Sequence, residues 1–316
     1  MGTLSTRQKT VMFLDQAVRD RAARLILSEK PMIIVTGSTG QLGHDIVRHL
    51  SSRVPEARIG ASARDPGEAA DLAELGVDVR RGDFADTRSL PAAFAEAEQV
   101  LVVSVDKLGD EALALHRAAI DAARHAGARR ILYTSHMGAR TDSPFLPAAQ
   151  HVGTERDLDA CGVPFTALRH GFYAESCLHL IGDGLKAGEL RVPQDGPVSW
   201  TARADLAEAD AAILASDGEW DGVTPALTAT EAVTMAEIAA MASEVLDHEF
   251  RHTVVTDDEW MRAKTEAGMP PVAAEMLLGA FIAARRGDFA ATDPALGTLL
   301  GREPRSMRDV IAASPT

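Results

Sequence analysis

The chain has 316 residues, of which 46% are hydrophobic and 25% charged. That is enough apolar material for a sizeable core and more length than one compact domain usually needs. No apolar stretch approaches the ~18 residues that mark a membrane helix, so a membrane span is excluded. Lys plus Arg number 32 against 46 Asp plus Glu, a formal net charge of -14, and a surface this acidic repels phosphate backbones and anionic lipid, which disfavours nucleic acid and membrane as partners.

The first thirty residues hold one predicted helix, Thr10 to Ser28, with Val11, Leu14, Val18, Ala22 and Leu25 recurring at three- and four-residue steps. Its apolar run is short for a signal peptide, and Asp15 and Asp20 among Arg19, Arg21 and Arg24 argue against a transit peptide. Residues 1–30 are therefore expected to be a helical extension packed outside the main fold, without chemistry.

From Met32 onward, β-branched runs alternate with Ala-rich helical stretches, the pattern of parallel βαβ units. Strands are expected at Ile33–Thr36, Ile59–Ala63, Val77–Arg81, Val100–Ser104, Ile131–Ser135 and Thr166–Arg169. Between them helices are expected near Gln41–Ser51, Pro66–Leu75, Leu90–Ala95, Asp110–His125 and Ala149–Cys161. This predicts an α/β fold, a doubly wound parallel Rossmann sheet over residues 31–170. Residues 171–316 are expected to complete the sheet and form a small C-terminal substrate lobe. They comprise a helical segment after Gly171, a Gly- and Pro-rich stretch around Gly182–Pro197, and helices near Asp205–Ser216, Met235–Leu246 and Pro271–Arg285. The two cysteines, Cys161 and Cys177, have neither the density nor the spacing of a disulfide framework or zinc site, which fits a reducing cytoplasm.

The segment IIVTGSTGQLG, Ile33 to Gly43, carries the most information. Gly37 permits a sharp turn, Gly40 a close approach of backbone to a pyrophosphate, and Gly43 tight packing of helix on strand, while the helix N-terminus offers free N–H groups to an anion. The GxxGxxG spacing is one residue longer than the simplest dinucleotide fingerprint, but the turn follows a strand and opens a helix, as a dinucleotide site requires. Cofactor contacts are therefore expected from Gly37, Ser38, Thr39, Gly40, Gln41, Leu42 and Gly43. At the tip of the second strand, about 20 residues on, stands Arg64, where NAD binding would need a carboxylate. A guanidinium suits the 2′-phosphate of NADP(H), and Asp65 is expected to cap the helix starting at Pro66. Asp83 and Phe84 end the third strand where adenine would lie. Val103 and Ser104 on the fourth strand, with Ser135 and His136 on the fifth, are expected to face the nicotinamide half.

Together, TGSTGQLG, SARDP, GDFAD, LYTS and LRHGFYAES resemble the NmrA-like group of atypical short-chain dehydrogenases, and the likeness continues through TARADLAEA, DDEWMRA and GREPRSMRDVI. The resemblance implies a Rossmann domain with a small substrate lobe, NADP(H) held by Gly37 to Gly43 and Arg64, and a pocket between the lobes. It is similar to the quinone, azo and triphenylmethane reductases of that group.

Standard short-chain dehydrogenases use a Tyr four residues before a Lys. Here Tyr133 is followed at that distance by Met137, and Tyr173 by Cys177. Where the YxxxK helix would lie stands an HxxxE pair, His151 and Glu155. Either His151 relays a proton with Glu155 orienting it, or the two are a helix-surface pair without chemistry. Without the tyrosine acid, reduction of an electron-poor flat acceptor is favoured over alcohol oxidation, with Met137, Phe145, Phe172, Tyr173 and Trp200 as candidates for the slot. The expected activity is an NADPH-dependent reductase of quinone-like aromatics by direct hydride transfer, with no metal or flavin. The expected partner is a small aromatic or quinone substrate, and a homo-oligomer is compatible with the sequence. The alternative is a non-catalytic NADP(H) sensor acting through a protein partner. A nucleotide-sugar isomerase is disfavoured by the missing base.

Overall fold

The computed structural model describes residues 32–216 and 218–314, so the helix expected over Thr10–Ser28 lies outside the described residues. All five positions of strand β1 (Met32–Thr36) are buried, as a run of large apolar residues dictates for a strand covered on both faces. Successive side chains point to opposite faces. Ile33 and Val35 join one core cluster and Met32 and Ile34 another.

The same alternation runs through β4 (Ala97–Val102), β5 (Arg130–His136) and β6 (Phe165–His170). Leu101, Leu132 and Leu168 lie with Ile33, whereas Val100, Ile131 and Tyr133 lie with Ile34. With β2 (Ile59–Ala63), β3 (Asp78–Arg81) and the short β10 (Gly222–Val223), they form a seven-stranded parallel sheet in the order β10-β6-β5-β4-β1-β2-β3. The strand order reverses between β1 and β4, and the crevice outside their carboxyl ends is where such sheets bind ligands.

Helix α1 (Gln41–Ser51) covers one face through Leu42, Ile46 and Leu50, beside α7 (Arg203–Ala215) with Leu206 and Ile213. On the other face lie the short α3 (Leu90–Ala93), α4 (Gly109–His125) and α5 (Leu146–Ala160), with Leu90, Ile120 and Leu158 inward. A third core cluster gathers α6 (Ala174–Ala187), α8 (Met235–Val245), α9 (Asp257–Glu266), α10 (Pro271–Arg285) and α12 (Met307–Ala313). Phe145, Phe172 and Met137, all near the ends of β5 and β6, join that cluster and tie it to the sheet. No helix among the described residues is long and apolar enough to cross a membrane.

Several elements differ from the sequence expectation. The fourth strand begins at Ala97 and stops at Val102 instead of running from Val100 to Ser104, because the amides of Val103 and Ser104 donate to the hydroxyls of Thr36 (2.9 Å) and Thr134 (2.8 Å) rather than to a ladder. The helix expected over Pro66–Leu75 splits into a 3-10 turn, Pro66–Ala69, and α2 (Ala70–Glu74), and Asp65 caps the turn by accepting from the Gly67 amide at 2.9 Å. Helix α5 starts at Leu146 rather than Ala149, with Pro147 in its first turn, where a missing N–H costs nothing. The Gly- and Pro-rich stretch Gly182–Pro197 contains the end of a helix and a strand. Helix α6 continues to Ala187, Gly188 terminates it with φ of 74°, and β8 (Glu189–Pro193) pairs in parallel with β11 (Arg251–Val255).

Candidate functional site

The turn after β1 is built for an anion. Gly37 has φ of 60°, a conformation that favours glycine, and Gly43 lies so close beneath it that a Cβ there would stand 2.4 Å from the Gly37 carbonyl oxygen. This proximity presses the start of α1 against the end of β1. The helix has no side-chain cap and no acid in its first turn, so its leading amides remain free for a ligand and carry the positive end of the dipole. Gly37, Gly40 and Gln41 are exposed, Thr39 is half-buried, and Leu42 and Gly43 are buried. Ser38 contributes to the shape of the turn rather than to its open face: its amide and its hydroxyl both donate to the Ser62 carbonyl, at 3.3 and 3.1 Å. These residues fit a dinucleotide pyrophosphate, since the uncapped leading amides of α1 follow directly on the exposed glycines Gly37 and Gly40.

Arg64 follows the tip of β2, exposed, and no hydrogen bond or ion pair among the described residues engages its side chain. Asp65 is used as a cap, so the two do not pair. Asp83 closes an Asx turn by accepting from the Ala85 amide at 2.9 Å, and Phe84 packs half-buried at the edge of the α4-side core. On the adjoining strand ends, Thr134 accepts from the Ser104 amide and donates to its hydroxyl at 3.2 Å. Those threonine contacts hold the β4 and β5 tips in fixed register.

Beyond these tips lies an aromatic cage. The His136 ring has centroids 5.6 Å from Phe145, 5.2 Å from Phe172 and 5.5 Å from Phe289, and Phe172 is 5.1 Å from Trp200. A cavity of about 60 Å³ adjoins it, lined among others by Phe172, Leu180, Trp200, Leu277 and Phe289. Met137 packs on the same cluster and receives a hydrogen bond from the Ser199 hydroxyl at its sulfur, 3.4 Å. Phe289 escaped the sequence reading because nothing in the tail segment RRGDFA places it near the fifth strand. Tyr173 is not brought into the cage. Adjacent residues of β7 (Phe172–Tyr173) point oppositely, so its ring lies in the α7-side core, with the Arg203 guanidinium 5.1 Å above it. Arg203 also donates to Gln41 of the glycine turn.

The pairing of His151 with Glu155 does not form, either as a relay or as a surface contact. Both are buried, because this face of α5 packs against the sheet. Glu155 accepts two bonds from Arg169 (3.0 and 2.8 Å) and one from Ser135 (2.7 Å), so Ser135 spends its hydroxyl there. His151 instead holds the Tyr133 hydroxyl at 2.8 Å through Nδ1. Burial raises the Tyr133 phenol far above its ordinary range and pulls the His151 imidazole well below its own, so both are neutral. Behind them His116, lowered to about 4 by burial, accepts from the Val105 amide at Nε2 (3.0 Å) and therefore donates from Nδ1 to Thr154 (2.9 Å). Sequence reasoning overlooked His116, whose only signal was a histidine on the apolar stripe of α4, with Ala112, Ala119 and Ile120. His170 makes a buried pair with Asp210 of α7 at 2.9 Å, which bolts that helix to the end of β6.

Fold and site together define a Rossmann-type nucleotide-binding protein of short-chain dehydrogenase layout, with an aromatic cage beside the ends of β5 and β6. A family model matches residues 29–297, and the chain belongs to the NmrA-like family. It is 31% identical over 282 residues to quinone oxidoreductase 2 of Escherichia coli (strain K12), covering 89% of this chain and 98% of that protein. The crystal structure of the NADPH-dependent quinone oxidoreductase from that organism in complex with NADPH superposes with a TM-score of 0.84 over 89% of this chain and 99% of the other, at 30% identity. Citrobacter sp. triphenylmethane reductase complexed with NADP(H) gives 0.80, with 89% of this chain and 98% of the other covered, at 30% identity. The NAD(P)H azoreductase of Xenophilus azovorans is 29% identical over 78% of this chain and 85% of its own length.

Proposed function

We propose that this protein is an NADPH-dependent reductase of quinones and other flat, electron-poor aromatics, working by direct hydride transfer. The observation that carries the reading is the aromatic cage of Phe145, Phe172, Trp200 and Phe289, closed on the same strand ends as the dinucleotide crevice. Its relatives reduce quinones, azo compounds and triphenylmethane dyes, which share flatness and a low-lying acceptor orbital. When bound, NADPH supplies two electrons and a proton as hydride. The chain's own part is to hold diphosphate on the leading amides of α1, to grip the 2′-phosphate with Arg64, to orient the acceptor between rings and to exclude water.

His151 is assigned to the proton side of the reaction. Its Nδ1 is fixed by Tyr133, which leaves Nε2 to hold the water that protonates the reduced product; as a neutral imidazole it lends a hydrogen bond rather than an ionised acid. The substrate lobe is the segment from 171 onward that carries Phe172, Trp200 and Phe289.

The test is steady-state oxidation of NADPH with 1,4-naphthoquinone, an azo dye and a triphenylmethane dye, for which turnover well above background is expected. Tight NADPH binding without turnover of any acceptor would overturn the reading in favour of a sensor. His151→Ala is expected to lower kcat by about tenfold without shifting its pH profile, since the imidazole is neutral throughout; an unchanged rate removes the role given to it.

A further inference from the structure

His136 has one ring nitrogen satisfied and one not. Nδ1 accepts from the Gly138 amide at 3.0 Å, so a neutral ring carries its proton on Nε2. That Nε2 is buried and has no hydrogen-bond partner among the described residues. Burial holds the imidazole neutral, down to about 3. The arrangement is enforced by shape: a Cβ on Gly138 would stand 2.4 Å from the Phe289 ring, so only glycine lets this loop fold back under His136. The ring also stacks on His151 at 5.9 Å and 23°, and meets Phe172 and Phe289 edge to face at 90°. Aromatic faces are weak acceptors for an N–H, and a buried donor left with nothing better is costly.

We propose that the Nε2–H of His136 is a catalytic and specificity-determining donor, which hydrogen-bonds the acceptor's carbonyl oxygen or azo nitrogen inside the aromatic cage. This rests on the reductase reading above and names the substrate class within it: flat acceptors bearing a hydrogen-bond acceptor atom where negative charge collects. As a quinone takes up hydride, it becomes the hydroquinone monoanion, whose charge lies on oxygen. A preorganised neutral donor stabilises that oxyanion more than the starting carbonyl and accelerates the transfer. The last proton comes from water, because a neutral imidazole so far below its ordinary range does not give one up at neutral pH. A triphenylmethane cation takes hydride on carbon and becomes neutral, so it gains nothing from the donor.

The experiment compares the wild type with His136→Phe and His136→Gln, using 1,4-naphthoquinone and malachite green. In the Phe variant the ratio of kcat/KM for quinone over dye is expected to fall by about tenfold to a hundredfold, and Gln, which keeps an N–H, should restore much of it. Calorimetric binding of the quinone to the NADP+ complex, which needs no turnover, should weaken by about fivefold or more in the Phe variant. An unchanged ratio with unchanged quinone affinity overturns the proposal, as does an equal loss for both acceptors that Gln does not rescue. A wild type that binds quinone but reduces nothing refutes the reductase reading, while the affinity comparison still decides the donor.

Discussion

On the proposed reading, Gly43 in the glycine turn and Arg64 after β2 carry separable parts of cofactor recognition. At Gly43, a methyl group would meet backbone rather than a yielding side chain, so Gly43→Ala must push α1 off β1 and move the amides that hold phosphate. NADPH affinity is expected to drop by about tenfold or more, measured by calorimetry, with an equal loss for NADH because both share the diphosphate. Arg64 acts differently. Its exposed guanidinium, unpaired among the described residues, can be lost without disturbing them, so Arg64→Asp is expected to weaken NADPH binding by about tenfold to a hundredfold while leaving NADH nearly untouched. Equal losses for both nucleotides would contradict a 2′-phosphate role. The placement of Arg64 beyond β2 and of the glycines between β1 and α1 was legible in the sequence because it depends on local spacing. The partner of His151 was not, since Tyr133 lies on a strand 18 residues away, and only packing of α5 on the sheet brings the two within 2.8 Å.

Among the elements, α7 joins more parts of the molecule than its sequence suggests. Its first turn holds Asp205, fully buried, which accepts from Arg302 (2.9 Å) and from the Arg305 amide (2.6 Å) and forms an ion pair with the Arg305 guanidinium (3.2 Å). The two stretches TARADLAEA and GREPRSMRDVI are thus a single structural unit, pinning the chain that leads to α12. Asp205→Ala removes every acceptor at once, but both arginines are partly exposed and can rehydrate, so the cost comes mainly from the stranded amide and lost docking. A destabilisation of about 1–3 kcal/mol is expected by urea denaturation, with earlier proteolytic cleavage before Ser306. Asp205→Asn should lose about half of that. No change in either variant would show that the pair is ornamental. The short β8 and β11 were missed for a related reason: each is five residues long, and they pair across some sixty residues of chain, a separation that local periodicity does not register.

For the whole molecule, neutral histidines in the interior set the response to acid. His116 is lowered to about 4 and His136 to about 3, both by burial, from an unfolded value of 6.5. Below 6.5 the unfolded chain takes up protons that the folded chain refuses, so their contribution to stability is complete above that pH and is lost progressively as pH falls toward 4. His116 alone should account for about 3 kcal/mol across that window. The hydrogen-bonded carboxylates Asp71, Asp86, Asp142, Glu237, Glu259 and Asp309 are lowered and act mainly further down, while Asp195, raised by burial, opposes the decline, so the comparison with a non-titrating variant isolates the imidazole's share. Urea midpoints measured against pH should fall through that range, more shallowly in His116→Gln, whose amide does not titrate. A midpoint flat to pH 4.5 would mean that the histidines are not neutral in the folded state.

By itself the sequence determined the parallel sheet, the glycine turn, the guanidinium beyond β2 and the absence of a Tyr–Lys pair, because each is written in neighbouring residues whose strand, turn and helix preferences act over a few positions. Only the tertiary structure decided that Phe289 joins Phe145 and Phe172 around His136, that Tyr173 turns away, and that Glu155 belongs to Arg169 and Ser135 instead of His151. Those outcomes depend on which side of a sheet or helix a side chain emerges from and on what a distant segment packs against it, and burial then fixes charge states that no run of residues reveals.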